Sequence, residues 1–143
     1  MADITSANSV LTLVVPALFP APQQLQGYAT DDAFADEALQ LSESVMGVDG
    51  RKSAGYTPAI TKQTITLQAD SPSMSFFEAI MQAMKQQRGV LRIEGSLVIP
   101  STGRSYVLTN GSLETVKQMP DGKKILQPQA WVIAWEAVSP SIL

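Results

Sequence analysis

Neither histidine nor cysteine occurs anywhere in the 143 residues. Without cysteine there are no disulfides and no thiolate metal ligands. Without histidine the chain lacks the commonest general base, the commonest metal ligand and the partner of every Ser-His or Cys-His nucleophile. Basic residues are missing from the first fifty positions, where Asp3, Asp31, Asp32, Asp36, Glu37, Glu43 and Asp49 stand alone and give a charge of −7. The remainder holds six acids and all ten bases, hence +4, and the two parts sum to the −3 of the whole chain. Such a division implies a surface with two unlike sides, and copies of it can attract one another head to tail. An acidic balance also argues against a protein that grips phosphates, which needs a basic stripe. Long apolar runs are missing too. The longest candidate, Val10 to Pro22, is cut by Pro16, Pro20 and Pro22 and falls well short of a bilayer span. No signal-peptide pattern is visible, so maturation in a cytoplasm is expected.

What is present reads as one domain over residues 1–143, mainly β with one helix. Ser9 to Val15 is β-branched and partly alternating, a strand. The prolines that follow impose an extended or turning connection, and Gln23 to Ala29 offers a second strand. Asp31 to Leu41 fits either a short helix or an extended arm. From about 39 to 61 the chain reads as a projecting loop or hairpin. Val48-Asp49-Gly50-Arg51 carries an Asp-Gly turn, and the segment is poor in core residues. A projection of this size is easier to explain if it orders on a neighbouring subunit. Thr61 to Ala69 alternates with Ile65 and Leu67 inward.

A helix is expected at about 73–88, capped by Ser71 or Ser73, or by a Ser75–Glu78 capping box, and ended by Gly89. Its apolar stripe is Phe77, Ile80, Met81 and Met84. A β-meander follows: Val90 to Ile99, Arg104 to Thr109, a bulge or turn at Asn110-Gly111, Ser112 to Met119, and a last strand region from Lys123 to Val138, which Pro128 breaks or marks as an edge. In that region Trp131, Ile133 and Trp135 share a face.

No catalytic, cofactor or metal site emerges. The acids Asp31, Asp32, Asp36 and Glu37 lack the spacing of an EF-hand loop and read as a solvated face. Gly47 to Ser53 has the wrong spacing and context for a phosphate-binding loop. The tryptophans and the helix methionines read as core, and Lys123-Lys124 as a solvated pair. Only a carboxylate, lysine or Ser-Lys mechanism is left, and no arrangement points to one. A non-enzymatic protein without cofactors is expected.

The order of elements, with Ser9 to Val15, Gly27-Tyr28 before Thr30-Asp31-Asp32, Val48-Asp49-Gly50 to Gly55-Tyr56-Thr57-Pro58, and Tyr106 to Asn110, resembles the tail tube proteins of contractile-tailed bacteriophages. The resemblance implies a β-sandwich or small barrel flanked by a helix. Subunits would close into a hexameric ring whose inner sheets form a continuous barrel, and rings would stack into a hollow virion tail tube for DNA ejection. Partners would be other copies, with sheath, tape-measure and baseplate or neck proteins, and assembly would take place in the host cytoplasm. DNA would pass through the lumen without specific binding, and no membrane is implied. On this reading Val48, Asp49, Gly50, Arg51, Lys52 and Tyr56 are subunit-interface candidates. Asp31, Asp32, Asp36, Glu37 and Glu43 face either the lumen or a basic patch on the next ring. A tube initiator or terminator ring, a type VI secretion tube protein, and a β-sandwich ligand-binding module with a platform built from Trp131, Trp135 and the tyrosines are the alternatives.

Overall fold

Strict alternation of apolar and polar side chains builds the centre of the molecule. The computed structural model describes residues 9–26 and 34–142; Asp3, Tyr28, Asp31 and Asp32 lie outside them. Nine strands and one helix follow in order: β1 (Val10–Val15), β2 (Phe19–Gln24), β3 (Phe34–Asp36), β4 (Ser42–Met46), β5 (Lys52–Tyr56), β6 (Thr61–Leu67), α1 (Met74–Gln87), β7 (Ile93–Ile99), β8 (Arg104–Val116) and β9 (Gln129–Ile142). Seven strands make one sheet in the order β2-β1-β7-β8-β9-β6-β3, every neighbouring pair antiparallel, while β4 and β5 form a hairpin of their own. In β1 and β6 every second residue is buried, as the period of two requires. The mainly β architecture with one helix thus matches the pattern of the sequence. Its sheet curls: Phe34 of β3 and Leu97 of β7, four strands apart, line one cavity of about 250 Å³.

The helix buries Met74, Phe76, Phe77, Ile80 and Met81 against one sheet face. Phe77 stacks on Trp131 with centroids 5.2 Å apart, Phe76 meets Phe77 edge-on at 5.3 Å, and Phe19 meets Phe76 at 4.9 Å. This aromatic chain links β2, α1 and β9, each contact adding about 0.5–1.5 kcal/mol to the apolar burial. Both tryptophans are fully buried, so neither contributes to a surface platform for a ligand.

Several local expectations are corrected. Ser73 occupies the N-cap position but makes no capping bond. Its Oγ instead accepts from the Gln26 N–H at 2.7 Å, and the Ser71 hydroxyl donates to the Gln26 carbonyl at 2.5 Å. The two serines clamp the chain leaving β2, because a buried backbone group there has no strand to pair with. The Ser75 hydroxyl donates to the Pro72 carbonyl and forms no capping box. At the other end Arg88, not Gly89, takes the left-handed conformation (φ 53°). For a residue with a Cβ that conformation costs about 1 kcal/mol. Arg88→Gly is therefore expected to raise stability by roughly 0.5–1 kcal/mol in thermal unfolding, despite its more flexible unfolded state.

Asn110 turns out to be a bulge inside one long strand, not a turn. Thr109 and Asn110 together oppose Glu94, and Asn110 has φ 49°, which asparagine tolerates. The last strand begins after Pro128, so Lys123 to Gln127 is loop. It then runs on to Ile142, beyond the expected Val138. Pro20 and Pro22 sit in β2, on a sheet edge. Pro140 sits where β9 has β8 on one side only. The first described part of the ambiguous segment 31–41 is extended, as β3.

Candidate assembly surfaces

The exposed side chains gather into three surfaces. The first is the hairpin. β4 and β5 pair from Ser42↔Tyr56 to Met46↔Lys52, and Gly50 holds φ 82° in the tip. The Gly47 N–H donates to the Arg51 carbonyl at 2.8 Å, and the Arg51 N–H to Asp49 Oδ1 at 3.1 Å. At the base the Thr57 N–H donates to the Leu41 carbonyl at 3.0 Å and its hydroxyl to the Gln40 carbonyl at 3.1 Å. Every residue from Glu37 to Tyr56 is exposed. Val45, Met46 and Val48 are 68%, 67% and 111% exposed, and Tyr56 78%. Apolar side chains ordinarily join a core, so a hairpin that exposes these four is a candidate contact surface.

The second surface is the sheet face opposite Trp135 and the helix. Lys62 Nζ pairs with Glu114 Oε1 at 2.8 Å. The Glu114 hydrogen bond, then its charge, holds the Lys62 ammonium above the ordinary lysine range. Arg92 pairs with Glu94 at 2.5 Å. The Asn110 N–H donates to Glu94 Oε2 at 3.2 Å and its amide to Glu136 Oε2 at 2.8 Å. Lys62 and Arg92 are thus each held by a carboxylate, while Glu136 is bonded by the Asn110 amide and has no ion pair among the described residues. Nothing in the spacing along the sequence singled out Glu94, Glu114 and Glu136; the bulge at Asn110 links Glu94 to Glu136, and Lys62 holds Glu114.

The third surface is the loop from Lys117 to Pro128. Met119, Ile125 and Leu126 are exposed there. Lys117 bonds Asp121 at 2.9 Å, and Lys85 of the helix donates to Gln118 Oε1 at 2.9 Å. The sequence reading places Ile125-Leu126 in the last strand region; the pair lies instead in the loop between the Pro-Asp-Gly turn and Pro128.

The interface candidates from the sequence occupy the first surface: Val48, Asp49, Gly50 and Arg51 at the tip, Lys52 and Tyr56 at the two ends of β5. Asp36 ends β3 opposite Gln63, the Glu37 N–H donates to the Lys62 carbonyl at 2.9 Å, and Glu43 lies on β4. Asp36 and Glu37 therefore stand beside β6, whereas Glu43 and Asp49 are carried out on the hairpin. Among the described residues no cluster of acids could hold a metal ion, and no helix is long and apolar enough to cross a membrane.

This architecture is shared with proteins of contractile injection systems. The tube-type fold is found over the whole chain in the sheath-tube complex of an extracellular contractile injection system, PVC, in its extended state. There the TM-score is 0.72, with 7% identity and coverage of 100% of this chain and 93% of that one. The sheath/tube terminator of the same system gives 0.66, with 9% identity, 99% and 98% coverage. The tube-terminating cap of the anti-feeding prophage gives 0.63, with 11% identity, 100% and 93% coverage. At 7–11% identity these likenesses are of fold, and the class they define is the fold shared by these contractile injection system components. A comparison with curated protein sequences finds no match. The chain belongs to the family described as tail fiber protein gp32, whose profile matches residues 2–139.

Proposed function

We propose that this chain is a tail tube subunit: copies close into a hexameric ring, and rings stack into a hollow channel through which DNA passes. The observation that carries the reading is the hairpin, an exposed apolar projection on a well-packed sheet. Rotation closes a ring through one heterologous interface, while stacking uses a second that does not close. A projecting hairpin suits the second. Sideways contacts fall to β9 from Glu136 to Ile142, whose outer edge is unpaired among the described strands and so open to strand addition. The polar face carrying Glu94, Glu114 and Glu136 turns to the channel, away from the helix. Its cations are already paired, so it offers no free charge to grip phosphates. Non-enzymatic structural work in a virion follows from this reading.

The family description speaks of a tail fiber, whereas the fold likeness runs to tube, terminator and cap. A tube-end ring is therefore the second reading. Copy number per particle separates them: many rings' worth for a tube, one ring's worth for a terminator or initiator. Purified protein is expected to form rings or tubes in negative-stain micrographs. A stable monomer at high concentration, even with baseplate components added as nucleators, would sink the tube reading.

A further inference from the structure

The two exposed apolar features lie at opposite ends of one strand. The hairpin feeds through Pro58 and Ala59 into the start of β6. The end of β6 runs into Gln68, Ala69 and Asp70, which with Ile125, Leu126 and Pro128 line a groove of about 660 Å³. Seven residues of strand separate the ends, roughly 20 Å. The charges at the ends are opposite. Across 34–61 four acids (Asp36, Glu37, Glu43, Asp49) face two bases (Arg51, Lys52). The 117–128 loop that supplies one wall of the groove carries three lysines (Lys117, Lys123, Lys124) against one acid (Asp121), and Asp70 lines the groove itself. Lys123 and Lys124 are exposed with no ion pair among the described residues, and so is Glu43.

From this we infer that the groove between the end of β6 and the 117–128 loop is the receptor for the β4–β5 hairpin of a second copy of this chain. The inference rests on the stacking reading above and names its contact. Met46 and Val48 at the tip enter the apolar groove beside Ile125 and Leu126, and Lys123 and Lys124 meet Glu43 and its neighbours. Donor and receptor lie at opposite ends of β6, so a contact between two copies leaves one of each free and propagates. Burial of the apolar side chains supplies the attraction. The charges select the end and orient the approach.

A charge swap in the full chain tests this. Lys123→Glu/Lys124→Glu reverses the receptor. Glu43→Lys/Asp49→Asn reverses the hairpin, the asparagine keeping the Oδ1 that accepts from Arg51 N–H. Each variant alone is expected to need about a tenfold higher concentration to stack, judged by sedimentation and negative-stain microscopy. An equimolar mixture should stack like the wild type, since each hairpin then finds an opposite receptor.

The lack of native cysteine provides an independent readout. Val48→Cys/Leu126→Cys should give a ladder of covalent oligomers on non-reducing gels, and Val48→Cys/Arg104→Cys should not. If the wild type stacks while the swap variants stack equally well and the ladder is missing, the receptor assignment is wrong and the tube reading survives. If the wild type forms neither rings nor stacks, the tube reading falls first. A swap variant that loses its circular dichroism leaves the decision to the ladder, whose absence in a stacking protein overturns the inference.

Discussion

Gly111→Ala is expected to destabilise the protein by about 3 kcal/mol or more, lowering the midpoint of thermal unfolding by roughly 10 °C. In an ordinary strand the same change would help by about 0.5–1 kcal/mol, because glycine gives up more backbone freedom on folding. Here the sign is reversed by what lies over the glycine. A Cβ at Gly111 would overlap the six-membered ring of Trp135 and stand 3.0 Å from Ile133 Cγ2. The indole has no room to retreat. It is fully buried, its Nε1–H donates to Gln63 Oε1 at 3.0 Å, and its far edge approaches Gly95, where a Cβ would stand 2.7 Å from Leu13 Cδ2. Displacing the ring would also strip the buried Gln63 of its donor, which costs a further 1–3 kcal/mol or so. Combining Gly111→Ala with Trp135→Phe should recover part of the loss by shrinking the ring. A Gly111→Ala protein within about 1 kcal/mol of wild type would show that the Trp135 pocket yields more than close packing allows.

Replacing Ser42 to Tyr56 by an Asn-Gly turn is expected to abolish stacking and leave the rest of the protein folded. Leu41 and Thr57 already lie across a backbone hydrogen bond of 3.0 Å, so a two-residue turn can close the gap. The excised residues are all exposed and pair only with one another. Their loss removes no core contact, and shortening the loop slightly reduces its closure entropy. Stability should stay within about 1 kcal/mol of wild type, read by denaturant unfolding. Assembly should stop at rings or smaller species. Tubes of ordinary length from the trimmed chain would remove the hairpin from the stacking contact. A collapse in stability would show instead that the hairpin belongs to the fold.

The elements legible in advance were those whose burial follows from local alternation. Thr61 to Leu67, the Trp131-Ile133-Trp135 face and the helix stripe each repeat at the period of their structure, so the apolar residues declare which side is inward. Ser71 and Ser73 misled because capping is only one use of a hydroxyl, and here the unpaired backbone at Gln26 claimed both. Asn110-Gly111 reads equally as a turn or a bulge. Pairing with β9 from Arg104 to Val116 decided for the bulge. Gly95 and Gly111 carried no sign that they form the floor beneath a tryptophan on another strand. Of the assembly surfaces, the hairpin was visible through its Asp-Gly turn and thin apolar content. The 117–128 loop was not, because exposure of Ile125 and Leu126 depends on where β9 begins.

By itself, then, the sequence determined what is local or compositional. Its alternation specifies strands and a single helix, the missing histidine and cysteine remove whole classes of chemistry, and the bases are confined to the chain after residue 50. Only the tertiary structure decided where those charges stand relative to one another. Strand pairing depends on non-local partners, and it is β6 that sets the base of the acidic hairpin and the groove of the lysine-bearing loop at its two ends.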